Sequence, residues 1–131
     1  MLRGIQCAGI EGFLQASKWS DVEFQTVIAQ MHGFVAWRTG QDGNGWKEEQ
    51  NLHWNGETFA RNGRKWYSLV AEAYDALYEA NPLFREALRA SGNSVLTHWM
   101  GKDDPRDSTL THVEYIYHLY RLRARAFQEA E

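Results

Sequence analysis

The feature that most constrains the fold is a run of apolar residues at helical spacing in the middle of the chain. They recur at intervals of three and four residues, at Trp66, Leu69, Val70, Ala73, Tyr74 and Leu77. Because an α-helix turns once every ~3.6 residues, this spacing places all of them on one face. The pattern predicts an amphipathic helix that buries this face in a core.

The N-terminal part is predicted to hold a strand, two helices and a glycine-rich loop. The strand fits residues 2–8, and the first helix fits residues 10–18. Ser20 and Glu23 have the spacing of a capping box, which starts the second helix, and Gly33 is placed to end it. Residues 39–47 read TGQDGNGWK and predict a loop.

Residues typical of turns and helix caps predict the secondary structure of the rest of the chain. Asn55-Gly56 is the dipeptide of a two-residue type I′ hairpin turn. Asn81 caps a helix that starts at Pro82 and ends before Gly92. A short strand fits residues 94–98 and a polar loop residues 99–108, after which Thr111 and Glu114 form a capping box for a long final helix. The sequence predicts a mainly α fold, of the α+β class with a small β-hairpin.

Composition narrows the class of protein. A length of 131 residues, 44% hydrophobic and 24% charged, is typical of one globular domain. The net charge is −3, whereas nucleic-acid-binding proteins usually carry an excess of basic residues. The single cysteine, Cys7, excludes internal disulfides and multi-cysteine metal sites. No apolar run approaches the ~18 residues of a membrane span, so we expect a cytoplasmic protein.

Several common sites are absent from the sequence. It contains no P-loop, no dinucleotide-binding glycine motif, no H-E-x-x-H and no G-x-S-x-G. No two of the five histidines are spaced i, i+4, so we expect no metal site.

A polar stripe on the first helix is the main candidate for chemistry. Glu11, Gln15 and Lys18 are spaced i, i+4 and i+7, which puts them on one helical face. Such a stripe is either a solvated face or an inward-facing catalytic set. In the second case a desolvated lysine supplies an amine nucleophile, and the carboxylate moves protons.

Aromatic residues and a polar loop give further candidates. Trp46 and Trp54 flank the glycine-rich loop and the hairpin, where they either pack in the core or stack on a flat base. Trp37 and Trp66 are predicted to be core residues. The loop GKDDPRDS is either a plain turn or a site that presents cations to a phosphate.

Five segments carry a family resemblance: CAGIEGFLQASKW (residues 7–19), LHWNGE (52–57), AYDAL (73–77), NPLFREALRASGNSVLTH (81–98) and GKDDPRDSTLT (101–111). In order and spacing they resemble the NADAR family, in particular its smaller branch in bacteriophages and bacteria. The resemblance covers nearly the whole chain. It implies a single NADAR-like domain, residues 1–131, that lacks the family's usual N-terminal strand.

The resemblance also implies an N-glycosidase that hydrolyses the base–ribose bond of a ribosylated nucleotide or ADP-ribose-type substrate. Lys18 would form a Schiff base with the sugar, Glu11 would act as acid and base, and Asp104 is a further catalytic candidate. The implied substrate-binding residues are Gln15, Trp46, Trp54, His98, Lys102 and Arg106. No cofactor is implied. The expected partner is a small nucleotide or an ADP-ribosylated base, with nucleic acid only as a modified substrate.

Two other functions stay open. In the first, the chain is a non-catalytic module that binds a nucleotide or ADP-ribose. In the second, it is a protein-interaction domain that uses aromatic residues of the last helix, such as Tyr115 and Tyr117. If the gene is viral, we expect the protein in the host cytoplasm, acting in nucleotide metabolism or against a host defence.

Overall fold

A computed structural model describes residues 1–97 and 103–130 and confirms a mainly helical fold with one small hairpin. The helices in these residues are α1 (Ile10–Ala16), α2 (Val22–Ala29), α3 (Gly33–Gly40), α4 (Trp46–Glu49), α5 (Arg64–Ala80), α6 (Pro82–Ala90) and α7 (His112–Ala130). A short 3-10 helix, Gln41–Gly43, lies between α3 and α4, and the strands are β1 (Asn51–Trp54) and β2 (Glu57–Ala60). None of the described helices combines the length and apolar character needed to span a membrane.

The chain divides into two compact units, Met1–Ala73 and Tyr74–Glu131. The first unit contains α1 to α4, the hairpin and the beginning of α5. The second contains the end of α5 together with α6 and α7. The predicted central helix is confirmed as α5, which extends through the boundary.

The predicted hairpin is confirmed. β1 and β2 pair antiparallel, with Trp54 opposite Glu57, and the two turn residues have the positive φ angles of a type I′ turn, 43° at Asn55 and 90° at Gly56.

The predicted N-terminal strand is wrong. Leu2 and Ile5 form a single bridge, because the chain reverses through Arg3 and Gly4 at φ of 47° and 92°. This turn is held by the hairpin, since Trp54 Nε1 donates to the Leu2 carbonyl oxygen at 3.1 Å.

The start of α2 differs from the capping-box prediction by one residue. Asp21, not Ser20, is the N-cap, and its Oδ1 accepts from the backbone N–H of Glu23 at 2.9 Å. A carboxylate both accepts these bonds and interacts favourably with the helix dipole, which explains why Asp21 takes this position. Gly33 begins α3, a helix that the sequence did not predict, instead of ending α2.

The predicted glycine-rich loop is also wrong, because its glycines have helical backbone angles. Gly40 has φ −63° and ψ −22°, and Gly45 has φ −59° and ψ −19°. Close packing explains Gly43, because a Cβ atom there would lie 2.7 Å from the Trp19 ring. This glycine therefore permits close approach within a largely helical segment.

The caps predicted in the second unit are confirmed. Asn81 Oδ1 accepts from the Phe84 N–H at 3.1 Å at the start of α6. At the start of α7, Thr111 N–H donates to Glu114 Oε1 at 2.7 Å, and Glu114 N–H donates to Thr111 Oγ1 at 3.2 Å. Residues 94–97 form no strand, and residue 98 lies outside the described residues.

An aromatic cluster forms the centre of the first unit. Phe13 packs edge-on against Trp54 at 4.9 Å and stacks on Trp66 at 5.7 Å between ring centroids. Trp66 is buried, as predicted, whereas Trp37 is exposed and stacks on Phe34. The inward face of α3 consists of Ala36 and Gly40, so helical spacing turns Trp37 outward.

Candidate functional site

The polar stripe of α1 does not face solvent. Gln15 is only 6% exposed, and Glu11 and Lys18 are half-buried. Gln15 Nε2 donates to Glu11 Oε1 at 2.7 Å. Lys18 Nζ donates to the Gly40 carbonyl oxygen at 3.2 Å and to Asn44 Oδ1 at 3.1 Å. The stripe therefore packs against the end of α3 and the segment after it. We call Glu11, Gln15, Lys18, Gly40 and Asn44 the α1 polar site.

The contacts of Lys18 bear on its chemistry. A nucleophilic amine must present a lone pair to the substrate, which requires a neutral nitrogen. In the structure Nζ donates to two oxygen acceptors, a carbonyl and an amide. These two bonds fix the position of the Lys18 nitrogen, which suits binding of an anionic or polar ligand.

Among the buried polar atoms without a hydrogen-bond partner in the described residues are an acceptor, Gln15 Oε1, and a donor, Trp46 Nε1. Leaving such a group unpaired costs roughly 1–3 kcal/mol, and few occur in native proteins. Both atoms are enclosed by protein, so their burial is a cost to stability rather than an open binding position.

Gly40 is required for the close packing of the α1 polar site. A Cβ atom at Gly40 would lie 1.7 Å from Gln15 Oε1 and 2.9 Å from Gln15 Cβ. We expect Gly40→Ala to lower the free energy of unfolding by about 2 kcal/mol, because the buried glutamine cannot move aside without losing its bond to Glu11. Urea denaturation measures the change.

Gly45→Ala is the matched control for this substitution. Gly45 has almost the same helical backbone angles, and nothing lies within 4 Å of the position of its Cβ. Alanine there should leave stability unchanged or raise it by about 0.5 kcal/mol. Equal losses in the two variants would contradict the packing argument.

Both tryptophans predicted to stack on a base are covered by protein. Trp54 is 1% exposed and belongs to the aromatic cluster, and its Nε1 donates to Leu2. Trp46 is also buried, in the short helix α4. Neither ring presents an open face on which a base could stack.

The other predicted residues belong to the second unit or fall outside the described residues. Asp104 and Arg106 are exposed in the second unit, where Asp104 Oδ1 accepts from the Arg106 N–H at 2.9 Å, as in a plain turn. His98 and Lys102 fall outside the described residues. The structure thus brings together Glu11, Gln15 and Lys18 but does not bring Asp104 and Arg106 into their unit.

One buried residue that organises the first unit was missed by sequence reasoning. Gln25 is fully buried, and its Nε2 contacts the carbonyl oxygens of Ala16, Trp19 and His53. Its Oε1 accepts from the Asn55 N–H at 2.8 Å. The missed signal was the spacing of Gln25 with Ile28 and Ala29, which form the buried face of α2.

A second missed group surrounds His118 in the other unit. The imidazole is buried and stacks on the Tyr74 ring at 4.6 Å, and Arg121 contacts its Nδ1 at 3.2 Å. Arg121 also pairs with Asp75 at 2.7 Å. The pKa of His118 is lowered from 6.5 to about 4, mainly by burial and secondly by the charge of Arg121. Within residues 1–97 and 103–130, no three histidine, cysteine or acidic side chains are grouped as metal ligands.

Comparison with known proteins corrects the family expected from the sequence. The family described as bacteriophage protein GP30.3 matches residues 1–124. A 17.1 kDa protein in the Gp30-rIII intergenic region of Enterobacteria phage T4 is 36% identical over 124 residues, which cover 94% of this chain and 82% of that protein. No solved structure matches significantly. The resemblance to NADAR was wrong: its motifs were short and individually common, whereas the GP30.3 match covers nearly the whole chain.

Proposed function

The chain belongs to the bacteriophage GP30.3 family, and we propose that it binds a small nucleotide-type ligand at the α1 polar site and releases it unchanged. The observation that carries this proposal is the pair of half-buried polar side chains in this site: Gln15 holds the Glu11 carboxylate, and Gly40 and Asn44 hold the Lys18 amine. As a bacteriophage protein, it would act in the host cytoplasm.

The ligand class follows from the donors and acceptors of the site. Of the two half-buried side chains, Lys18 donates and Glu11 accepts. The charge of Lys18 favours a ligand that carries a phosphate. Glu11 provides a carboxylate that can accept from a sugar hydroxyl.

Hydrolysis of a base–ribose bond is the second candidate function. It is favoured by the presence of a carboxylate, Glu11, and a cation, Lys18, in the α1 polar site. Glu11 would protonate the base as its bond to the anomeric carbon breaks, and water would add to that carbon and return a proton to Glu11. A Schiff-base route would require Lys18 to leave Gly40 and Asn44 and to lose its proton.

One experiment distinguishes ligand binding from hydrolysis. We expect the purified protein to bind at least one member of a panel of ribosylated pyrimidines, ADP-ribose conjugates and ADP-ribosylated guanosine, measured by calorimetry. The ligand should be recovered intact after denaturation of the complex. Lys18→Met should weaken binding by about tenfold or more, since it removes a charged donor.

Lys65→Met is the matched control, because Lys65 is exposed on α5. It should bind the ligand as the wild type does. Recovery of free base, with a borohydride-trapped sugar adduct on Lys18, would overturn unchanged release in favour of the glycosidase. No binding to any member of the panel by folded protein would overturn both candidates.

A further inference from the structure

The outer face of α7 carries a regular apolar seam. Exposed residues recur along it at alternating intervals of four and three residues, at Val113, Tyr117, Tyr120, Ala124 and Phe127. Tyr117 is 61% exposed and Val113 69%. The opposite face of the same helix is the buried one, with His118, Leu122 and Ala126. α7 is therefore apolar on two sides, although only one side packs within the described chain.

The spacing of the seam indicates what covers it. Alternating steps of four and three residues give a period of ~3.5, which keeps side chains in line with another helix that packs along α7. No charged residue occupies the seam. We infer that this face, which we call the α7 seam, packs against the same seam of a second copy of the chain, with the two α7 helices antiparallel.

Side-chain size favours the antiparallel direction. A parallel pair would place each residue opposite its own copy, so that tyrosine meets tyrosine and alanine meets alanine. An antiparallel pair centred near residue 122 places Tyr120 opposite the small Ala124, and Tyr117 opposite Phe127. A large side chain then faces a small one in the central layers, which is how packed helices fill the space between them.

The charges beside the seam are compatible with two copies in contact. Arg121 and Arg123 flank its centre, and each would approach its own copy in the antiparallel pair. Arg121 already pairs with Asp75 at 2.7 Å in its own chain. Arg123 is buried, and it donates to the Ser94 carbonyl oxygen at 2.7 Å. Neither cation needs a carboxylate from a partner.

The size of the surface predicts the strength of the dimer. The seam, together with the exposed Val95 nearby, offers about 500 Å² of apolar surface per chain, close to the lower limit of specific interfaces. Val95 belongs to this surface because the Leu96 N–H next to it donates to the Tyr120 hydroxyl at 2.9 Å. We expect a dimer that dissociates at micromolar concentrations.

Analytical ultracentrifugation of the full chain over a range of concentrations tests the association. The wild type should change from monomer to dimer, and Tyr117→Lys or Phe127→Lys should raise the dissociation constant by about tenfold or more. Tyr67→Lys, at a similarly exposed tyrosine of α5, should leave it unchanged. A monomer at all concentrations, or a dimer that tolerates both seam variants, would overturn the inference.

Disulfide trapping tests the direction of the two helices. In a Cys7→Ser background, a mixture of Tyr120→Cys and Ala124→Cys chains should form the mixed disulfide faster than either chain forms a disulfide with itself. Preferential Ala124→Cys homodimers would show parallel helices and overturn the antiparallel arrangement. This result does not depend on ligand binding at the α1 polar site, which lies in the other unit.

Discussion

Replacing Gln25 by leucine is expected to lower the free energy of unfolding by about 4 kcal/mol, although the two side chains have similar volumes. The substitution would remove the amide that donates to the Trp19 carbonyl oxygen and accepts from the Asn55 N–H, while the Ala16 carbonyl oxygen would keep its bond to the Trp19 N–H. These groups lie at the end of α1 and at the hairpin turn. Removing the amide therefore uncouples α2 from both, and urea denaturation followed by circular dichroism measures the loss.

Gln30→Leu is the matched control on the same helix. Gln30 follows the last residue of α2, is exposed, and bonds only locally to the Thr26 carbonyl oxygen. This variant should differ from the wild type by less than about 0.5 kcal/mol. If Gln25→Leu were as stable as Gln30→Leu, the bonds of Gln25 would not hold the first unit together.

The second large effect is a loss of stability in mild acid that depends on His118. Because the folded-state pKa is about 4 and the ordinary value is 6.5, the unfolded chain binds a proton in this range and the folded chain does not. Stability is then highest above pH 6.5 and falls as the pH drops to about 4. The expected loss through this residue is about 3 kcal/mol.

Comparison with variants isolates the contribution of His118, because carboxylates also titrate in acid. His118→Gln keeps a polar side chain near Arg121 but cannot take up a proton in this range. Its stability should therefore fall less between pH 7 and pH 4 than that of the wild type. His32→Gln, at an exposed position of the first unit, should keep the wild-type profile. Parallel profiles for the wild type and His118→Gln would contradict the assignment.

The elements predicted correctly from the sequence are those fixed by local rules. The hairpin depends on two residues that accept positive φ, and α5, α6 and α7 depend on periodicity and caps. The errors arose where contacts between distant residues, rather than local rules, decide the backbone conformation. The glycines before Trp46 look like a loop, yet Gly40 and Gly43 are small because Gln15 and Trp19 lie against them.

The candidate site was predictable only in part. Helical spacing correctly placed Glu11 and Gln15 on one face of α1, but the helix ends at Ala16 rather than at Lys18, which lies in the turn that follows. The sequence also could not show which element this face meets. Gly40 and Asn44, which accept from Lys18, lie more than 20 positions away along the chain. The buried face of α2 also does not follow from hydrophobicity: Val27 is exposed, whereas the polar Gln25 is buried because four hydrogen bonds compensate its burial.

The N-terminal turn has a consequence for the order in which the chain becomes structured during synthesis. Leu2 and Arg3 leave the ribosome well before their partners: Trp54 Nε1 donates to Leu2, and Arg3 forms a two-pronged ion pair with Glu72 at 2.8 and 3.1 Å. The loops that join these residues to their partners cannot close until α5 has left the exit tunnel. The first unit must therefore complete its fold late, when most of its residues have already been made.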